Sequence, residues 1–154
     1  MTKTLFLLLL FPTFTWCQNV TTSELGGQSN VYNNALKHYL ILTSEGGKPI
    51  YDTLFIQKND DLTDSLMTVI RGINVVVVDS SIFQEKLRQG SFVLHKLFPL
   101  SFNKGIFSIY IVPYSVRKPD DEVFLERAGH FKVDYKYNNK VNALEFTKGK
   151  SYGY

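Results

Sequence analysis

The sequence predicts an α+β domain: a mostly antiparallel sheet with two or three short helices packed on one face. Three observations carry this expectation. Val31, Ala35, Leu36, Tyr39, Leu40 and Leu42 recur at helical spacing. Four consecutive valines, Val75 to Val78, mark a strand covered on both sides. The C-terminal half reads as two long hairpins, over 92–116 and 131–146, separated by turn residues. With 154 residues, 44% hydrophobic and 20% charged, the chain suits one globular domain and excludes a collagen, a coiled coil, a multi-span membrane protein and a mainly disordered chain.

Residues 1–17 read as a secretory signal peptide. Lys3 gives a positive start, and an apolar run follows from Leu5 to Phe11 and closes at Pro12. A membrane-crossing helix needs about 20 apolar residues, so this run is too short, and no transmembrane segment is expected in the mature chain. Thr15 and Cys17 are small enough for the −3 and −1 positions, which places cleavage between Cys17 and Gln18. Lipid anchoring at Cys17 is the alternative, and the bulky Trp16 before it counts against that. A buried N-terminal strand is a further alternative. Residues 18–30 are polar, with Gly26-Gly27, and are expected to form a flexible lead-in. Residues 31–154 form the single domain. Asn19-Val20-Thr21 matches a glycosylation sequon and is read as chance.

Cleavage would remove the only cysteine, and with it any disulfide, thiol nucleophile or cysteine metal site. Small exported eukaryotic domains usually lean on disulfides, so a bacterial envelope or secreted protein is favoured. The net charge of +3, with both signs mixed along the chain, is too weak to argue for nucleic acid.

In order along the domain, Asn30 caps the first helix, and Gly46-Gly47 and Pro49 stop it. Residues 50–57 form a strand, with Ile50, Leu54 and Ile56 on one face. Leu62, Leu66, Val69 and Ile70 allow a short helix ending at Gly72, although Thr68, Val69 and Ile70 are β-branched. After the strand Ile73–Val78, Ser81 and Gln84 make a capping box for a helix over 82–89, with Phe83 and Leu87 inward and Gly90 past its end. Asn103-Lys104-Gly105 reads as a three-residue hairpin loop, setting Phe102 against Ile106, Leu100 against Ser108 and Phe98 against Tyr110. Pro99 and Pro113 each remove an amide donor, so one strand must be bent or near an edge. Residues 123–128 fit either a strand or a helical turn. In the last hairpin Phe131, Val133, Tyr135 and Tyr137 alternate with Lys132, Asp134 and Lys136. A two-residue Asn138-Asn139 turn would set Phe131 against Phe146, Val133 against Leu144 and Lys132 against Glu145.

Nothing in the sequence fixes a chemistry. His38, His95 and His130 are far apart in the chain and lack metal-site spacing; a histidine satisfied in or near the core is the plain reading of each. Ser80 and Ser81 follow a buried strand, but the capping box explains them. The aspartates 52, 60, 61, 64 and 79 suit caps and turns as well as acid–base work. Gly26-Gly27 and Gly46-Gly47 lack the context of a phosphate-binding loop. No catalytic, cofactor-binding or metal residue is therefore assigned. The unusual feature is the aromatic content, 12 Phe and 9 Tyr. Tyr110, Tyr114, Tyr135 and Tyr137 fall on expected strands, where they either fill the core or line a surface that binds sugars or peptides.

The leucine-and-phenylalanine leader ending in Cys17-Gln18, the segment 99–113 and the hairpin 133–146 resemble small uncharacterised exported proteins of the Bacteroidota. The resemblance implies an envelope or secreted location, and no activity or functional residue. Two function classes follow. A non-catalytic exported module acting through protein or glycan contacts is favoured. The alternative is a small hydrolase or an NTF2-like or cystatin-like pocket domain. An enclosed cavity holding His95 or His130 and a carboxylate would mark the alternative; a filled core with aromatics on an outer sheet face would mark the first. Mass spectrometry of protein exported by its native host should find Gln18 at the N-terminus; an intact Met1 or a lipid-modified Cys17 would contradict the leader reading.

Overall fold

The computed structural model describes residues 21–24, 27–44, 50–60, 62–119 and 122–153, with 21–24 and 27–29 given by their backbone alone. The leader, its cleavage site and the Gly46-Gly47 and Pro49 stop lie outside the described residues. In chain order the elements are β1 (Thr21–Glu24), β2 (Gly27–Asn30), α1 (Val31–Leu42), β3 (Thr53–Gln57), β4 (Val69–Ile70), β5 (Ile73–Val78), α2 (Ser80–Gln89), β6 (Phe92–Leu97), β7 (Ser101–Asn103), β8 (Ile106–Arg117), β9 (Phe124–Arg127), β10 (His130–Asn138) and β11 (Ala143–Tyr152). All the strands join one sheet in the order β2-β1-β11-β10-β8-β6-β3-β5-β4, with β7 and β9 as further partners of β8.

The domain is α+β, but the sheet is mixed rather than mostly antiparallel. β3 runs parallel to both β5 and β6, and β1 parallel to β11. The reason is the link from β5 to β6, which carries α2 across β3; such a crossover returns the chain in its original direction. Nor do the helices share a face. α1 packs with Leu54, Ile56, Val75, Ile109 and Val133, whereas α2 belongs with Phe55, Val76, Val78 and Val116. Neighbours along a strand point to opposite sides, so a strand apolar on both faces demands a cover on each.

α1 starts where the sequence places it. The Asn30 side chain accepts from the Tyr32 amide at 2.8 Å, and Val31, Ala35, Leu36 and Leu40 are at most 1% exposed. Its polar side chains fasten segments that have little regular structure of their own. Asn30 Nδ2 donates to Ser65 Oγ at 2.9 Å, Asn33 Nδ2 donates to the Ser65 carbonyl at 3.2 Å, and Asn33 Oδ1 accepts from the Met67 amide at 2.9 Å. The Tyr32 hydroxyl accepts from the Leu100 amide at 3.1 Å. Part of the expected lead-in, 21–24 and 27–30, is paired as β1 and β2, with β1 beside β11; main-chain pairing needs no apolar period to hold it.

Other expectations shift locally. Residues 62–68 form turns instead of a helix, and β4 turns back onto β5 through Arg71 and Gly72, both at positive φ. The β-branched run 68–70 favours that strand. The second helix begins at Ser80, because Asp79 rather than Ser81 is its cap, accepting from the Ser81 and Ile82 amides at 2.9 Å each. The hairpin loop is the two residues Lys104-Gly105, again at positive φ, so Asn103 pairs with Ile106 and Phe102 with Phe107. Residues 124–127 form strand β9. β8 changes partner at Pro113, from β10 on one side of it to β9 on the other. The Pro113 carbonyl accepts from the Ala128 amide at 3.1 Å. Its missing donor therefore faces the break between β9 and β10, where it costs no ladder bond.

The last hairpin has a different register. Tyr135 faces Phe146, Tyr137 faces Leu144 and Lys136 faces Glu145; the turn spans Asn139 to Asn142, and a bulge between Asp134 and Tyr135 resets the pairing. A slip of four residues restores side-chain parity and gives Glu145 another lysine, so alternation and charge pairing alone cannot choose between the registers. Val133 is fully buried against α1 while Lys136 is exposed. Val133→Asp should therefore cost roughly 3 kcal/mol or more, and Lys136→Gln no more than about 0.5 kcal/mol, as read by urea denaturation.

Candidate functional site

The four tyrosines singled out from the sequence do not form one surface. Tyr135 is fully buried on the α1 face, and its hydroxyl donates to Asn34 Oδ1 at 2.8 Å. Its position in the alternation with Phe131 and Val133 turns it inward. Tyr137, near the hairpin turn, is 48% exposed and its hydroxyl donates to the Asn142 side-chain oxygen. Tyr110 and Tyr114 are half-buried on the opposite face of the sheet, because the inward residues of β8 are Ile109 and Ile111.

That opposite face, across β8, β10 and β11, carries the most distinctive chemistry. His130 lies across from Tyr152, and their rings stack at 4.8 Å and 10°. Tyr110 is 5.9 Å from the His130 ring. Arg127 Nη2 approaches His130 Nδ1 at 3.0 Å; a guanidinium only donates, so this nitrogen accepts and the ring proton sits on Nε2. In the next row Lys132 lies between Tyr110 and Lys150, with its ammonium 5.9 Å from the Tyr110 ring. In the row after that, Asp134 lies between Ser108 and Lys148.

Asp134 is buried on this face and holds it together. Ser108 Oγ donates to Oδ1 at 2.6 Å, Lys132 Nζ lies 2.9 Å from the same oxygen, and Lys148 Nζ lies 4.0 Å from Oδ2. Burial pushes the Asp134 carboxyl up, but the hydrogen bonds from Lys132 and Ser108 and the two ammonium charges outweigh it, so the group stays below the ordinary carboxylate range. Sequence alone does not place His130 beside Tyr110, or Tyr152, Lys150 and Lys148 on the same face. The signal was there in the alternate positions Lys148, Lys150 and Tyr152, a one-faced strand pattern.

On the α2 face an open groove of about 620 Å³ runs past Phe83, Leu94 and Leu125 toward Lys58, Asp60 and Asp79. Its polar groups are partly engaged already. Lys58 Nζ pairs with Asp60 at 3.2 Å, and Asp79 caps α2, whose donated hydrogen bonds hold its pKa down. No histidine lines it. Among the described residues no group of three His, Cys, Asp or Glu side chains is placed to hold a metal ion, and no helix is long and apolar enough to cross a membrane.

His95 is fully buried and belongs to the core. Its Nδ1 donates to the Phe55 carbonyl at 3.2 Å, and in the neutral ring that burial favours Nε2 accepts from the Tyr39 hydroxyl at 2.8 Å. Tyr39 in turn accepts from the Tyr51 hydroxyl at 2.9 Å. With the imidazole neutral, the chain of bonds runs one way, from half-buried Tyr51 inward. His38, on α1, stacks on Phe146 at 3.6 Å, so the three histidines stay apart.

Comparison of the chain with protein-family models, with curated proteins and with solved structures finds no match.

Burial pulls the His95 pKa down to about 4, against a smaller upward pull from the Phe55 carbonyl. The unfolded chain binds this proton more readily than the folded one. Stability is therefore fully present above the unfolded value near 6.5 and is lost as pH falls from there toward 4, by about 3 kcal/mol from this group. Denaturation midpoints at pH 7.5 and pH 4 should show that loss in the parent and a smaller one in His95→Gln.

Proposed function

We propose that the chain is an exported, non-catalytic binding module that holds a glycan against the outer face of β8, β10 and β11. One observation carries the reading: the rings of Tyr110, His130 and Tyr152 gather on a sheet face that α1 does not cover, framed by lysines. Tyrosine offers a sugar both apolar surface and a hydroxyl that donates and accepts. In the core behind this face His95 is fully buried and bonded to Tyr39 and Phe55. The groove on the α2 face brings Asp60 and Asp79 near Lys58 without a histidine. Both features weigh against a small hydrolase or an NTF2-like or cystatin-like pocket domain. Export rests on the leader at 1–17, and the Bacteroidota resemblance agrees with it.

The test is binding to an array of glycans by the full secreted chain. Replacing both Tyr110 and Tyr152 by Ala should weaken the retained glycans by about tenfold, or roughly 1.4 kcal/mol, and leave the fold intact by circular dichroism. Undiminished binding by that variant, or no glycan retained by the parent, would overturn the reading.

A further inference from the structure

We infer that the ligand of this face is an acidic polysaccharide, a chain of sugars carrying carboxylate or sulfate groups. The inference rests on the glycan reading above and adds the charge of the ligand.

Its basis is the imbalance of charge in three neighbouring rows of the sheet. Lys96 lies opposite Val112 on β8, Lys132 opposite Tyr110 and Lys150, and Lys148 opposite Asp134. Residues paired across neighbouring strands share a face, so all four ammonium groups stand on the side of Tyr110. Asp134 is the one carboxylate in these rows, and it is committed to Lys132 and Lys148. Lys150 has no carboxylate partner among the described residues, and Lys96 rests over the Phe98 ring at 5.4 Å. The balancing pair of this face, Lys136 with Glu145, lies farther along, toward the hairpin turn. A chain with a net charge of only +3 thus gathers a local excess of cations on one open surface.

The geometry favours a sugar polymer over other polyanions. Strands are spaced about 4.8 Å apart, and alternate residues along a strand about 6.8 Å. Cations therefore form a flat grid, suited to a ligand with charges repeated along its length. One face of each of the His130 and Tyr152 rings is taken up by the stack between them. A nucleobase seeks an open ring face to stack on, whereas a polyhydroxylated chain is served by hydroxyls beside ammonium groups. An acidic peptide would gain most from a free strand edge, and this is the face of strands already paired.

The experiment is affinity electrophoresis of the full secreted chain through gels containing polygalacturonate, its fully methyl-esterified form, or a neutral β-glucan. Polygalacturonate should retard the protein, the esterified polymer should not, and raising sodium chloride from about 50 to about 300 mM should abolish retardation. Lys148→Gln with Lys150→Gln should weaken binding by about fivefold, Tyr152→Ala should also weaken it, and Lys140→Gln in the hairpin turn should leave it unchanged. Equal retardation by the charged and esterified polymers would overturn the acidic inference and leave the glycan reading standing. Retardation by none of the three polymers would overturn both. Binding untouched by the Lys148, Lys150 and Tyr152 changes would remove this face as the site. Tighter retention by a single-stranded oligothymidylate gel would assign the face to nucleic acid instead.

Discussion

The structure depends on burying α1 without stranding its polar groups. Its apolar stripe supplies the core of one sheet face, yet Tyr32, Asn33, Asn34 and Tyr39 are buried with it. A buried donor or acceptor without a partner costs about 1–3 kcal/mol. Each of these four finds its partner in a different part of the chain: Leu100, the segment around Ser65 and Met67, Tyr135, and the His95–Tyr51 pair. No buried side-chain nitrogen or oxygen among the described residues is left unbonded. Directional bonds thereby position the loops and β10 relative to the helix, a selectivity that apolar burial alone does not provide.

The other face is organised differently at its two ends. Over β3, β5 and β6 it is covered by α2, with Phe55, Phe83 and Phe92 packed edge-on and Lys86 laid over Phe55 at 5.0 Å. Over β8, β10 and β11 it carries Ser108, Tyr110, Lys132 and Asp134, and its side chains are tied to one another by ion pairs and stacked rings. One sheet therefore has a helix-covered half and a polar half on the same side. The division is written in the strands: β5 is valine on both faces, and β10 alternates apolar with charged.

Much of this was legible in the chain. Helical spacing and Asn30 located α1 to the residue, and the valine run announced a strand covered twice over. What that run required, a helix on each side, was not carried through to the prediction of both helices on one face. The hairpin registers were less legible for a physical reason. Strand pairing repeats every two residues and the lysines at 132 and 136 are interchangeable partners for Glu145, so local rules leave a degeneracy that the longer turn over residues 139–142 and the bulge between Asp134 and Tyr135 remove. The candidate site was half legible. Tyr110 was identified, but its neighbours His130 and Tyr152 come from strands whose register fixes them beside it.

The outermost strands of the sheet order are β4, two residues long, and β2, four residues long. A free strand edge is a template on which another chain can add, and its danger grows with the number of unpaired amides it presents. Here the sheet stops by brevity: at one end, Arg71 and Gly72 turn the chain back after only two residues on β4. Neither of these two strands presents more than four residues on which a further chain could pair. That safeguard matters most to a chain that folds in company with many copies of itself.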